Sequence, residues 1–369
     1  MAEKFDSTAD VPYLARDAKT VGPGGGEDLL AEDVGTTVEL TQTDEAPDVE
    51  IMDDGSATVG EEEQTQEVGF LTNLAEVLDE GYLQALSNEL LEKFENDKSS
   101  REEWEQGYTK GLDLLGFKYE ERTRPFRGAS SVNHPMLAQA VTQFQAMAYV
   151  ELLPSDGPVR TQVVGANNEK LQQAAERVKD YMNYEITHKM EDYNPEMDQL
   201  LFQLPLSGSS FKKIYYDEVL GRATSKFIPA EDVIVPYGAS DLDSCDRITQ
   251  IVKLSQNDLR KKQISGFYRD IELSPYEGDN ISDIQEKKNQ IDGERPNDYS
   301  SDDMTELLEM HIDIDLEGYE DINPKDNEPS GIKLPYIVTI DRGSNKVLSV
   351  YRNFNQEDAL RKKNEYFVH

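Results

Sequence analysis

Apolar residues recur at steps of three and four from Leu71 through Leu74, Val77, Leu78, Leu83, Leu86, Leu90, Leu91 and Phe94. This spacing predicts a helical stretch with Asn73 as a cap and Gly81 as a weak point or break. A second helix is predicted over about 99–115, where Ser99 or Ser100 followed by Glu102 and Glu103 makes a capping-box-like start and Gly116 a stop. It carries Trp104, Tyr108, Leu112 and Leu115 on one side. The clearest helix starts near Asn133, with Pro135 in its first turn, where a missing N–H costs nothing. Met136, Leu137, Ala140, Val141, Phe144, Met147, Ala148 and Leu152 form its apolar stripe, and Pro154 ends it. Such a stripe needs a partner, and the two preceding helices are expected to pack on it.

Residues 159–164 alternate as a short strand, Asn167 opens a long helix over about 169–191, and a further helix over 195–204 is closed by Pro205. The period then changes to two. Strands are predicted from Leu206 to Asp217, across the turn at Leu220 and Gly221 into Thr224 to Pro229, at Asp232 to Pro236, and from Ile248 to Leu254. Ser255 caps a helix that leads to Arg260, Lys261 and Lys262 and stops at Gly266. Residues 274–303 are polar, with Pro275, Gly278, Gly293 and Pro296 as breakers, and read as a surface excursion with one short helix near 281–291. Leu307 to Leu316 alternates as a strand. Tyr336 to Asp341 and Lys346 to Tyr351, joined by Arg342-Gly-Ser-Asn345, carry a hairpin signal.

Composition divides this pattern into an ordered body and an acidic arm. From Thr20 to Glu92 there is no Lys or Arg, and up to about Gly69 the chain is rich in Gly, Thr, Ser and Gln. That composition cannot bury enough surface to offset chain entropy, so residues 1–68 are expected to be a disordered arm. The arm is either a solubilising tail or a segment that docks on assembly, with Val38 to Leu40 and Val49 to Met52 as docking points. The fold class expected for the rest is α+β: a helical part over 69–205 and a strand-rich part with mixed or antiparallel strands over 206–369.

Charge and candidate chemistry narrow the function. The formal charge of −37 over 369 residues disfavours a protein that grips nucleic acid along a basic surface. No run of eighteen apolar residues exists, and Met1-Ala-Glu-Lys-Phe-Asp6 lacks a signal-peptide pattern, so a soluble protein made in a cytoplasm, without membrane contact, is expected. A single Cys245 excludes an internal disulfide and reads as a passive small residue; with four histidines, a zinc site is not expected. Arg122, Arg124 and Arg127 form a local basic cluster that pairs with carboxylates of this chain or a neighbouring subunit, or meets DNA phosphates. His311, Asp313 and Asp315 share one strand face at two-residue spacing. They are read as the solvent side of a strand whose Met310, Ile312, Ile314 and Leu316 point inward, the alternative being a cation site. Gly208, Ser209 and Ser210 hint at a phosphate cradle but lack the Walker spacing. No catalytic set emerges, so no enzyme activity and no cofactor or metal is expected.

Several stretches, in order, carry a resemblance: Pro125-Phe-Arg-Gly-Ala-Ser-Ser-Val-Asn-His-Pro135, Leu152-Leu-Pro-Ser-Asp-Gly-Pro-Val159, Leu204-Pro-Leu-Ser-Gly-Ser-Ser-Phe-Lys-Lys-Ile-Tyr-Tyr-Asp217, Ile228-Pro-Ala-Glu-Asp-Val-Ile-Val-Pro-Tyr-Gly-Ala239, Arg247-Ile-Thr-Gln250 and Pro335-Tyr-Ile-Val-Thr-Ile-Asp341. Together they resemble the portal proteins of tailed bacteriophages, in particular the podovirus-like group, over roughly 115–369. The resemblance implies a structural protein of the virion, made in the host cytoplasm, whose ring of commonly twelve copies forms the head-to-tail connector at one capsid vertex. Its implied partners are the major capsid protein, the terminase motor, tail adaptor proteins and double-stranded DNA, which passes through the channel without sequence-specific binding. Portal chains of this group continue past the equivalent of Tyr366 to His369, so these residues are expected to represent mainly the outer wing. A non-portal virion adaptor or scaffold would share the acidic arm and the α+β body.

Overall fold

The computed structural model describes residues 69–116, 126, 134–165, 168–217, 220–273, 283–292, 304–322, 329–358 and 360–369, with two short strands further upstream. The chain divides into two units, Met1–Gln66 and Glu67–His369. In the first, β1 (Val49–Ile51) pairs antiparallel with β2 (Ala57–Val59), so the segment expected to be wholly disordered carries a local strand pair; the rest of the arm lies outside the described residues.

The second unit is α+β, and every strand pair described in it is antiparallel. A 3₁₀ turn, Leu74–Glu76, is capped by the side chain of Asn73. It precedes α1 (Glu80–Ser100), whose cap is Asp79, its carboxylate accepting from the N–H groups of Gly81 and Tyr82. Gly81 therefore lies in a first turn and breaks nothing. α2 (Glu102–Leu115) follows after Arg101, without the expected capping box, because Ser99 and Ser100 complete α1. The Arg101 guanidinium instead donates to the carbonyls of Ala230, Glu231 and Val233.

α3 (Met136–Leu152), α4 (Glu169–Tyr184) and α5 (Tyr193–Ser207) come next. A five-residue π-helical turn, Glu185–Lys189, shortens the long helix expected to reach 191. Pro205 sits inside the last turn of α5, and termination falls to Gly208 in the left-handed conformation, φ 75°, which glycine adopts without steric cost. The expected strand over 159–164 is absent. At its first residue the backbone is bound by Asn183 of α4, whose amide accepts from Val159 N at 2.9 Å and donates to Val159 O at 3.2 Å.

β3 (Ser210–Asp217) and β4 (Arg222–Pro229) form a hairpin that β10 (Phe367–Val368) extends on the β3 side. β5 (Val233–Ile234), β6 (Arg247–Ser255), β7 (Met304–Ile314), β8 (Leu334–Asp341) and β9 (Lys346–Arg352) make a five-stranded sheet in that order. α6 (Gln256–Ile264) is capped by Ser255 as expected, and α7 is the short helix Asp283–Asp292. The β8–β9 hairpin turns through Asn345 at φ 56°, a conformation asparagine tolerates.

Layering follows from period two along β7. Leu308, Met310, Ile312 and Ile314 enter one core with Leu83, Leu90 and Phe94 of α1. On the opposite face Leu307 packs with Leu259 of α6 and Tyr268. Ile248, which pairs with His311, joins Phe211 and Phe367 of the smaller sheet in a further core. The five-stranded sheet is thus covered on both faces.

Candidate functional site

The double covering corrects the expected placement of His311. The residue is only 4% exposed and faces the smaller sheet, not solvent. Its Nε2 lies 2.8 Å from Glu309 Oε1, which also accepts from Lys213 Nζ of β3 at 2.5 Å; Lys213 donates further to Gln250 Oε1 at 2.9 Å. Burial would by itself raise the Glu309 carboxyl, but the His311 hydrogen bond and the Lys213 charge outweigh it and hold it at about 2. For His311, burial is the larger influence and lowers the imidazole despite Glu309.

Asp313 is half-buried on the same face, its Oδ1 without a hydrogen-bond partner, and burial raises its carboxyl. Asp315 lies beyond the end of β7 and is exposed. The three residues therefore do not converge, and among the described residues no group of three or more His, Cys, Asp or Glu side chains gathers to hold a metal ion.

Gly208, Ser209 and Ser210 form the exit from α5 into β3. Ser207 Oγ donates to Ser209 O, Ser209 Oγ is 2.7 Å from His369 Nε2, and Ser210 Oγ is buried without a partner, so the geometry is a helix cap and not an anion cradle. Cys245 is buried, with Sγ 2.8 Å from Arg247 O, and burial pushes its thiol up. Arg122, Arg124 and Arg127 lie outside the described residues.

The helical layer presents a surface that the expected packing did not anticipate. α3 holds Val141 buried, with Leu137, Gln145 and Ala148 half-buried beside it, while the other half of its apolar stripe is uncovered. Met136 is 70% exposed, Met147 68% and Val150 72%, with Phe144 and Leu152 also open. One acidic residue, Glu151, is the sole charge over those seventeen positions. α4 has no buried residue, and Leu171, Val178 and Met182 lie along it at steps of seven and four, all exposed. An amphipathic helix with its apolar stripe in water is a surface awaiting a partner.

Periodicity located both stripes but could not say which half of each would be covered. The Lys213, Glu309 and His311 cluster was missed altogether. Its only sequence signal is a Glu two residues before a His on one strand, since Lys213 comes from a strand 96 residues away. Among the described residues no helix is long and apolar enough to cross a membrane. Comparison with known proteins adds no relative: the chain matches no protein-family model and no curated protein.

Proposed function

We propose that the chain is a portal protein of a tailed bacteriophage, or the wing-bearing portion of one, which assembles into a ring at one capsid vertex. The observation that carries this reading is the pair of unlike apolar stripes on α3 and α4, open in a single chain of net charge −37. Such a chain repels copies of itself wherever its acids face, so association has to run through nearly uncharged surface, and α3 is such a surface. Two different faces pairing head to tail generate a closed ring when the rotation closes, commonly of twelve copies in the proteins this sequence resembles.

The ordered run of segments between Pro125 and Asp341 supports the same reading. In this role the chain performs no chemistry. The ring is the channel for genome packaging and ejection, the terminase motor supplies the work, and the major capsid protein and tail adaptors grip its outside. The excess of acids favours sliding of double-stranded DNA over binding.

Negative-stain imaging with mass photometry of the purified chain tests this. Closed rings with a central hole are the expected result. A discrete complex without a channel would favour a virion adaptor or scaffold and overturn the portal reading.

A further inference from the structure

Residues 362–369 cross from the five-stranded sheet to the three-stranded one. At the near end the Lys363 ammonium donates to the carbonyls of Leu242, Asp243 and Cys245 at 3.2, 3.3 and 3.3 Å. At the far end Phe367 and Val368 pair with Lys213 and Lys212 of β3, and Ile214 N donates to Tyr366 O at 2.8 Å. Between these anchors the rings of Tyr366 and Phe367 meet the His311 imidazole edge-on, with centroids 5.5 and 5.0 Å away. The strap is thus the lid that keeps His311 from water.

Beneath the lid the charges balance only while the imidazole is neutral. Glu309 Oε1 already accepts from Lys213, so a proton on His311 would leave two cations to share one carboxylate, with the imidazole itself buried. The remaining groups that face this pair do not relieve it. Lys363 and Tyr366 come from the strap, Lys262 from α6, and Tyr268 from the segment after it; of the acids nearby, Asp313 acts on Lys363 and Asp217 on Lys262, so Glu309 is the carboxylate that meets the imidazole. Hydrating the new charge requires the rings of Tyr366 and Phe367 to move; Phe367 belongs to the two-residue strand β10, and Tyr366 immediately precedes it.

We propose that residues 364–369 are an acid-released clasp: a proton gained by His311 lifts β10 off β3, with Lys363 as the pivot that stays attached. Lys363 is suited to that part because its partners are backbone carbonyls, which do not titrate in this range. Opening bares the backbone edge of β3 at residues 212–214.

Hydrogen exchange of the full chain between about pH 7.5 and about pH 5, corrected for intrinsic rates, reads this directly. Protection at 210–217 and 364–369 is expected to fall by about tenfold or more on acidification while α1 and β8 keep theirs. His311→Gln, which retains a neutral donor toward Glu309, is expected to abolish the change; His369→Gln, at the tip of the strap, is expected to keep it. The imidazole titration of His311 by NMR needs no variant and should share its midpoint with the opening. Unchanged strap protection, a loss that spreads evenly over the whole unit, a transition that persists in His311→Gln, or midpoints that differ would overturn the proposal.

Discussion

Asp97, near the C-terminal end of α1, receives Arg247 of β6 in a two-pronged ion pair, with Nε and Nη2 each 2.6 Å from a carboxylate oxygen. Asp97 is buried and its partner half-buried, so the pair differs in kind from surface pairs such as Lys93 with Glu89. It fixes the far end of α1 on the sheet, while Arg269 with Glu80 fixes the near end.

Removing one partner of a buried pair strands the other charge. Asp97→Ala is expected to lower stability by about 3 kcal/mol, whereas Glu89→Ala should change it by less than about 0.5 kcal/mol. Urea unfolding followed by circular dichroism distinguishes the two, and equal effects would show that the ion pair does not anchor α1.

Leu90 is fully buried where α1 meets the sheet, beside Phe94 and the β7 side chains. Leu90→Ala should cost about 2–5 kcal/mol through lost burial and the cavity left behind. Leu114, exposed on α2, provides the contrast: Leu114→Ala is expected to shift the midpoint little.

Met147 stands on the open half of the α3 stripe, and Val150, one turn further along the helix, is exposed beside it. Met147→Asp should leave the melting temperature of the single chain within about two degrees of the parent, since nothing buried is disturbed. The same change is expected to abolish ring closure in mass photometry. Rings that survive the double change Met147→Asp and Val150→Asp would exclude α3 from the subunit contact.

Glu309 gives the pH dependence a definite sign. Its folded carboxyl sits at about 2 against an ordinary 4.5, so its contribution is present above about 4.5 and is lost as pH falls toward about 2. His311 works in the same direction: its lowered imidazole makes stability decline as pH drops below the ordinary histidine value of about 6.5. Lys213→Met is expected to cost about 3 kcal/mol at neutral pH and less near pH 4, where His311 can take up a proton and pair with Glu309. Denaturant unfolding at the two pH values checks the difference.

Asp232 opposes this trend. Burial first, then the Glu231 charge, raises its carboxyl to about 6, so its contribution is full below the ordinary 3.8 and is lost as pH rises through about 6. Asp232→Asn should therefore stabilise the protein by roughly 1 kcal/mol at neutral pH and by almost nothing near pH 4. A thermal melt series across that range is the measurement, and a destabilised variant at neutral pH would contradict the assignment.

Local rules carried much of the fold. The three- and four-residue spacing of Leu83, Leu86, Leu90 and Phe94 specified a one-sided helix, and that side is the buried one. Ser255 capped its helix, and Arg342 to Asn345 turned a hairpin, because both depend on side chains and dihedrals within a few residues. The sequence by itself therefore determined most of the elements, their α+β class and their apolar faces. What covers each face is a property of surfaces that meet across long separations, and only the tertiary structure decided it. Alternation along β7 set His311 opposite Met310 but could not reveal that a second sheet lies on that side, so a strand face read as solvated became the buried seat of Glu309, His311 and Lys213. In the same way the eight apolar positions of α3 were legible at once, whereas their division into a covered half and an open half depended on where α5 packs against them.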